Sequence, residues 1–219
     1  MPVNTDPRER AVAYASAAYQ TAARELLADL TTAGAPVTAV RDLLLAERYD
    51  ASLVPILVRW LGSVEYQPLR EDIIRTLSVP WAKAAAPLLV SEFAREPHDG
   101  MRWVIGNALC QLADDAIASD LVAIAANPTY GTSRQMVVFG LGAVTPSPSV
   151  TSALVAQLGD TDVCGHAVTA LGKLRAASAR AAVAALADHP RAWIRREVKK
   201  ALARIDRAAA PKRSRRAPR

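Results

Sequence analysis

The stretches LVAQLGDTDVCGHAVTALGKL, from Leu154 to Leu174, and ALADHPRAWIRREVKKALARI, from Ala185 to Ile205, repeat one order of residues: an apolar segment, a turn with an acid, and a second segment built around an Ala-Leu pair. Working outward from them, Leu45, Leu77, Leu109, Leu141, Leu171 and Leu202 follow one another at intervals of 32, 32, 32, 30 and 31 residues. Seven positions before the last five leucines stand Arg70, Arg102, Arg134, Cys164 and Arg195, and four before stand Ile73, Ile105, Val137, Ala167 and Val198. Immediately before them come Thr76, Ala108, Gly140, Ala170 and Ala201, small enough for a neighbouring helix to approach closely. A fixed period of this length marks an array of one supersecondary unit.

The unit is helical. Met101, Ile105, Ala108, Leu109 and Leu112 fall at the three-and-four spacing of one buried stripe, and Ile194, Val198, Ala201, Leu202 and Ile205 repeat those offsets. Pro36, Pro68, Pro97, Pro128, Pro146, Pro148 and Pro190 lie between periodic segments, and Pro55 and Pro87 lie in first turns, where a missing N–H costs nothing. No segment requires a strand.

On these residues the chain resembles the HEAT-repeat family, in its short form of about thirty residues found in bilin-lyase-like repeat proteins. The likeness covers roughly residues 35–206, and the signatures of tetratricopeptide and ankyrin arrays are missing. It implies an all-α fold, a right-handed α-solenoid of about six helix pairs. Residues 1–206 would form the solenoid, with an N-terminal cap over about 1–48 and repeats over about 49–206. It also implies a ladder in which turn acids (Glu65, Glu96, Asp160 and Asp188, with Asn127 replacing one) meet Arg70, Arg102, Arg134 and Arg195 of stacked units, a structural role. The first unit departs from the pattern, with Thr38 in the arginine position and Arg41 and Arg48 where later units are apolar, as a cap with one wet face should. The alanine-rich run from Arg8 to Leu30 would be the cap's outer helix.

Composition narrows the function. About half of the 219 residues are apolar, 51%, yet no apolar run approaches the roughly 20 residues needed to cross a bilayer. With no export signal in MPVNTDPRER and only Cys110 and Cys164, a cytoplasmic protein without disulfides is expected. The net charge of +6 is confined to residues 207–219, where Arg207, Lys212, Arg213, Arg215, Arg216 and Arg219 stand without an acid. That stretch lacks large apolar residues and reads as a disordered basic tail able to touch nucleic acid weakly.

Catalytic groups do not converge. His98, His166 and His189 have no second ligand at metal-binding spacing, and Gly140 and Gly142 end a helix rather than follow a strand, so neither a metal nor a cofactor is expected. HEAT-like alkylpurine DNA glycosylases need a concave aspartate beside aromatics; Asn107 and Gln135 stand there instead. The expectation is therefore a non-catalytic scaffold, adaptor or inhibitor holding a protein or peptide in its concave groove. Positions six and two before each leucine would line it: Glu71 with Arg75, Trp103 with Asn107, Gln135 with Phe139, Gly165 with Thr169, and Arg196 with Lys200. Trp103 and Phe139 would be the anchors. The alternative is nucleic-acid binding through the last helix and tail, since residues 191–219 carry twelve bases against Glu197 and Asp206.

Overall fold

A computed structural model describes residues 7–46 and 49–209, with side chains from residue 16 onward. Among the described residues the chain is all-helical, without strands, and no helix is long and apolar enough to cross a membrane. It divides into two compact units, Met1–Leu112 and Ala113–Arg219.

Unit 1 contains α1 (Pro7–Thr32), a 3-10 segment (Val40–Leu45), α2 (Val54–Leu61), α3 (Gln67–Thr76), α4 (Ala86–Arg95) and α5 (Asp99–Leu112). Pro55, Pro68 and Pro87 occupy the first turns of α2, α3 and α4, where the fixed proline φ suits helix entry. Tyr19, Ala23, Leu26 and Leu30 form the buried stripe of α1, and Asp29 ties it to α2 through Arg59 and the Trp60 indole, both at 2.7 Å. Helix α3 packs on both the 3-10 segment and α5.

Unit 2 contains α6 (Ala118–Ala126), α7 (Gln135–Gly140), α8 (Pro148–Ala156), α9 (Cys164–Leu174), α10 (Arg180–Ala184) and α11 (Ala192–Ala209). Helices α7, α9 and α11 pack in succession, with α6, α8 and α10 against them. Asn127 and Ser147 cap the segments that follow them, accepting from Thr129 N at 3.1 Å and from Val150 N at 3.3 Å.

Leu77, Leu109, Leu141 and Leu171 are fully buried, each position contributing roughly 1.5–3 kcal/mol. The two end leucines depart from the register. In the 3-10 segment residues three apart share a face, so Val40 and Leu43 go inside and Leu45 is 91% exposed. Leu202 is half-buried, because the inner stripe of α11 is completed by Ile194, Val198, Ala201 and Ile205. Helix α11 continues through Arg207 to Ala209, past the expected boundary at 206, as the helix-forming alanines allow. Arg48, Lys212, Arg213, Arg215, Arg216 and Arg219 lie outside the described residues.

Two of the four ladder arginines reach forward to the next turn. Arg70 binds Glu96 at 2.5 Å and also Glu92, while Arg134 binds Asp160. Burial pushes both Glu96 and Asp160 up, but the guanidinium and backbone N–H donors outweigh it, so each carboxyl lies below the usual range. Arg102 bonds to Asp99 at 2.5 Å and to the Glu96 carbonyl, and Arg195 to the carbonyls of His189 and Pro190 at 2.7 and 2.9 Å. Glu65 and Asp188 are exposed and make no ion pair among the described residues.

The small-residue positions set the spacing in unit 2. A methyl placed on Gly172 would lie 2.7 Å from both Cα and Cβ of Ala201, so α9 and α11 touch backbone to backbone. Gly172→Ala gains up to about 1 kcal/mol of helix propensity but forces these helices apart, which costs about 1–3 kcal/mol. A lowered urea midpoint is the expected result; an unchanged or raised midpoint would show that the α9–α11 contact has room to spare.

Candidate functional site

Unit 1 presents one cleft with an apolar floor, of about 410 Å³, lined by Leu44, Arg75, Ser78, Trp103, Val104, Asn107 and Gln111. Its positions follow from local structure. The 3-10 geometry that buries Leu43 turns Leu44 out, leaving it 47% exposed. Trp103, Asn107 and Gln111 recur every four residues on one face of α5. Arg75 and Ser78 come from the end of α3 and the turn after it.

Trp103 is 42% exposed, and its carbonyl accepts from Asn107 Nδ2 at 3.0 Å. That bond leaves the Asn107 carbonyl oxygen for another donor. Arg75 donates to Glu71 at 2.7 and 2.8 Å, so the predicted Glu71 and Arg75 positions form a neutral pair. Ser78 donates its hydroxyl to the Ile74 carbonyl at 2.9 Å, and no carboxylate, imidazole or thiol lines the cleft. The surface therefore offers apolar contact and amide hydrogen bonds rather than proton transfer.

The cleft wall is held by a polar network beside it. Tyr19 Oη donates to Asp72 at 2.8 Å and accepts from Val40 N at 3.1 Å, while the Val40 carbonyl faces Thr76 Oγ1 at 3.4 Å. Arg41 Nε reaches the same Asp72 oxygen at 3.3 Å. Burial pushes the Tyr19 phenol well above its usual range, with the Asp72 carboxylate adding to the rise, so it stays a donor at neutral pH. Tyr49, also raised by burial, donates to the Thr76 carbonyl and meets Trp81 edge-on at 4.6 Å. A second, polar cleft of about 440 Å³ lies around Tyr19, Gln20, Arg41, Asp42 and Tyr66.

In unit 2 the predicted row is largely occupied by the chain itself. Phe139 is half-buried with the Lys173 ammonium 3.4 Å from its ring centroid, a cation–π contact that covers the expected anchor. Gln135 donates to the Asp162 carbonyl at 2.8 Å. Gly165 is covered: a methyl on it would meet the Trp193 ring at 1.9 Å. Thr169 turns its hydroxyl back to the Gly165 carbonyl at 2.9 Å. Arg196 and Lys200 are exposed, with Lys200 bound to Glu197 at 2.7 Å.

Cys164 is buried and its thiol is pushed up by burial; Cys110 is half-buried. Burial lowers His166, which packs edge-on against Trp193 at 5.9 Å. No group of three metal-ligating side chains occurs among the described residues. Sequence reasoning missed Leu44, Val104, Ser78 and Gln111; the signal for Leu44 was the triple leucine Leu43–Leu45, too apolar for one narrow buried face. No protein-family model matches this chain, and no curated protein matches it in sequence.

Tyr19→Phe removes the acceptor for Val40 N–H and the donor to Asp72, at a cost of about 1–3 kcal/mol. Amide exchange at Val40 should accelerate along with a lower melting temperature. Unchanged protection at Val40 would mean that the phenol does not hold the segment carrying Leu44.

Proposed function

We propose that the chain is a HEAT-like repeat protein, a right-handed α-solenoid of about six helix pairs, that binds a protein or peptide without catalysis, as a scaffold, adaptor or inhibitor. The period shared by residues of both units supports the repeat reading. Exposure of Trp103 above the Leu44 and Val104 floor carries the binding reading, because a large aromatic left open beside apolar neighbours is the usual anchor of a protein interface. An apolar side chain of the partner would enter between Trp103 and Leu44. Asn107 and Gln111 would pair with its backbone, as peptide-recognition grooves combine pockets with amide hydrogen bonds. The Glu71–Arg75 pair, at the rim, supplies orientation more than affinity.

A peptide display library panned over the intact chain tests this. Enrichment of sequences sharing a large apolar residue is expected, and Trp103→Ala should weaken the selected peptide about thirtyfold, equivalent to about 2 kcal/mol, at unchanged helical spectrum and melting point. Absence of enrichment would refute the reading. So would a Trp103→Ala chain that loses binding only because it unfolds.

A further inference from the structure

The end of unit 2 gathers three arginines without an acid. Arg175 follows α9, Arg204 and Arg207 stand one turn apart near the end of α11, and together with Ala208 they line a cleft of about 90 Å³. None of the three makes an ion pair among the described residues. The two acids of α11 are committed elsewhere, Asp206 to Arg180 at 2.6 and 3.0 Å and Glu197 to Lys200 at 2.7 Å.

Arg175 is placed there by an uncommon backbone. With φ 53° and ψ 40° it is the one non-glycine residue of positive φ among those described. Its N–H bonds to the Gly172 carbonyl at 3.3 Å and that of Ala176 to the Leu171 carbonyl at 3.1 Å, a helix ending in which glycine is the ordinary occupant. Glycine would close α9 with less strain; arginine instead adds a base to the cleft that Arg204 and Arg207 also line. The carbonyl end of α9 favours one nearby cation, and three unpaired bases around one cleft favour an anion there.

The cluster ends a longer row. Arg196, Lys200, Arg204 and Arg207 succeed one another at four, four and three residues, on the face of α11 opposite Ile194, Val198, Ala201 and Ile205, over roughly 16 Å. All four are exposed. Trp193, 38% exposed, lies on the same face one turn before Arg196. A free phosphate would use only the cleft; a nucleic-acid strand uses the row of charges with its phosphates and the aromatic plane with its bases.

We propose that Arg175, Arg204 and Arg207 enclose a backbone phosphate of a nucleic-acid strand that runs along the Arg196–Arg207 face of α11 toward Trp193. The site is independent of the peptide cleft in unit 1, so either reading can fail without the other.

Fluorescence anisotropy of a labelled 20-nucleotide DNA single strand, titrated with the full chain over a salt series, tests the proposal. Binding at 50 mM salt is expected. In the Arg175→Gly, Arg204→Gln, Arg207→Gln triple variant the affinity should fall about tenfold or more, and the slope of log affinity against log salt should become shallower by about 2, three lost contacts at ~0.7 each. Arg175→Gly alone should weaken binding severalfold while holding or raising the melting temperature, since glycine suits this φ. A triple variant that binds like the parent with the same slope overturns the proposal by assigning the binding to residues beyond Ala209. It is equally overturned if the parent shows no binding at 50 mM salt. Full competition by millimolar inorganic phosphate, or poly-glutamate of matched length binding as tightly as the DNA, would also overturn it.

Discussion

A buried guanidinium has to find acceptors for its donors, and in unit 2 Arg134 finds four by pulling the ends of three segments together. Only 2% of its side chain is exposed. Nε donates to Gly131 O at 3.1 Å, Nη1 to Ala125 O at 2.8 Å and to Gln157 Oε1 at 3.1 Å, and Nη2 to Asp160. The end of α6, the turn before α7 and the turn after α8 are thereby fixed to one another. Gly131, at φ 49°, supplies the backbone conformation from which its carbonyl reaches Nε. Arg70 plays the corresponding part in unit 1, tying α3 to Glu92 and Glu96 of the next pair.

With these turns locked from within, the outward faces of the helices are free to differ. The α5 face carries Trp103 and two amides over an apolar floor, in a cleft whose only ion pair is internal. The α11 face carries an indole and four bases, of which Lys200 is paired with Glu197, while Asp206 is paired with Arg180. The two units thus present surfaces of different chemistry, because buried positions follow the shared spacing and exposed positions do not.

The helical class, the stripe residues of α5 and α11, and the buried Leu77, Leu109, Leu141 and Leu171 were legible because they depend on spacing alone. Leu45 misled for a local reason: Tyr19 and Asp42 hold Val40–Leu45 as a 3-10 segment, where the α-helical period does not apply. Phe139 and Gly165 were not legible as covered sites, since what covers them, Lys173 and Trp193, comes from other helices. Arg175 was hidden because its position is set by backbone φ, which sequence marks only when glycine is present. Among the ladder acids, Glu92 was missed and Glu65 and Asp188 were not engaged, as the reach of an arginine depends on the pitch of each turn.

That a fully buried arginine bonded across segments organises the turns, while a half-buried one bonded within its own turn does not, is tested most directly by urea unfolding of Arg134→Met beside Arg195→Met. Removing Arg134 strands Asp160, Gln157 and two backbone carbonyls, which predicts a loss of about 3–5 kcal/mol. Arg195 bonds only to the carbonyls of its own turn, which predicts a loss of about 1 kcal/mol or less. Equal and small losses in the two variants would contradict the account.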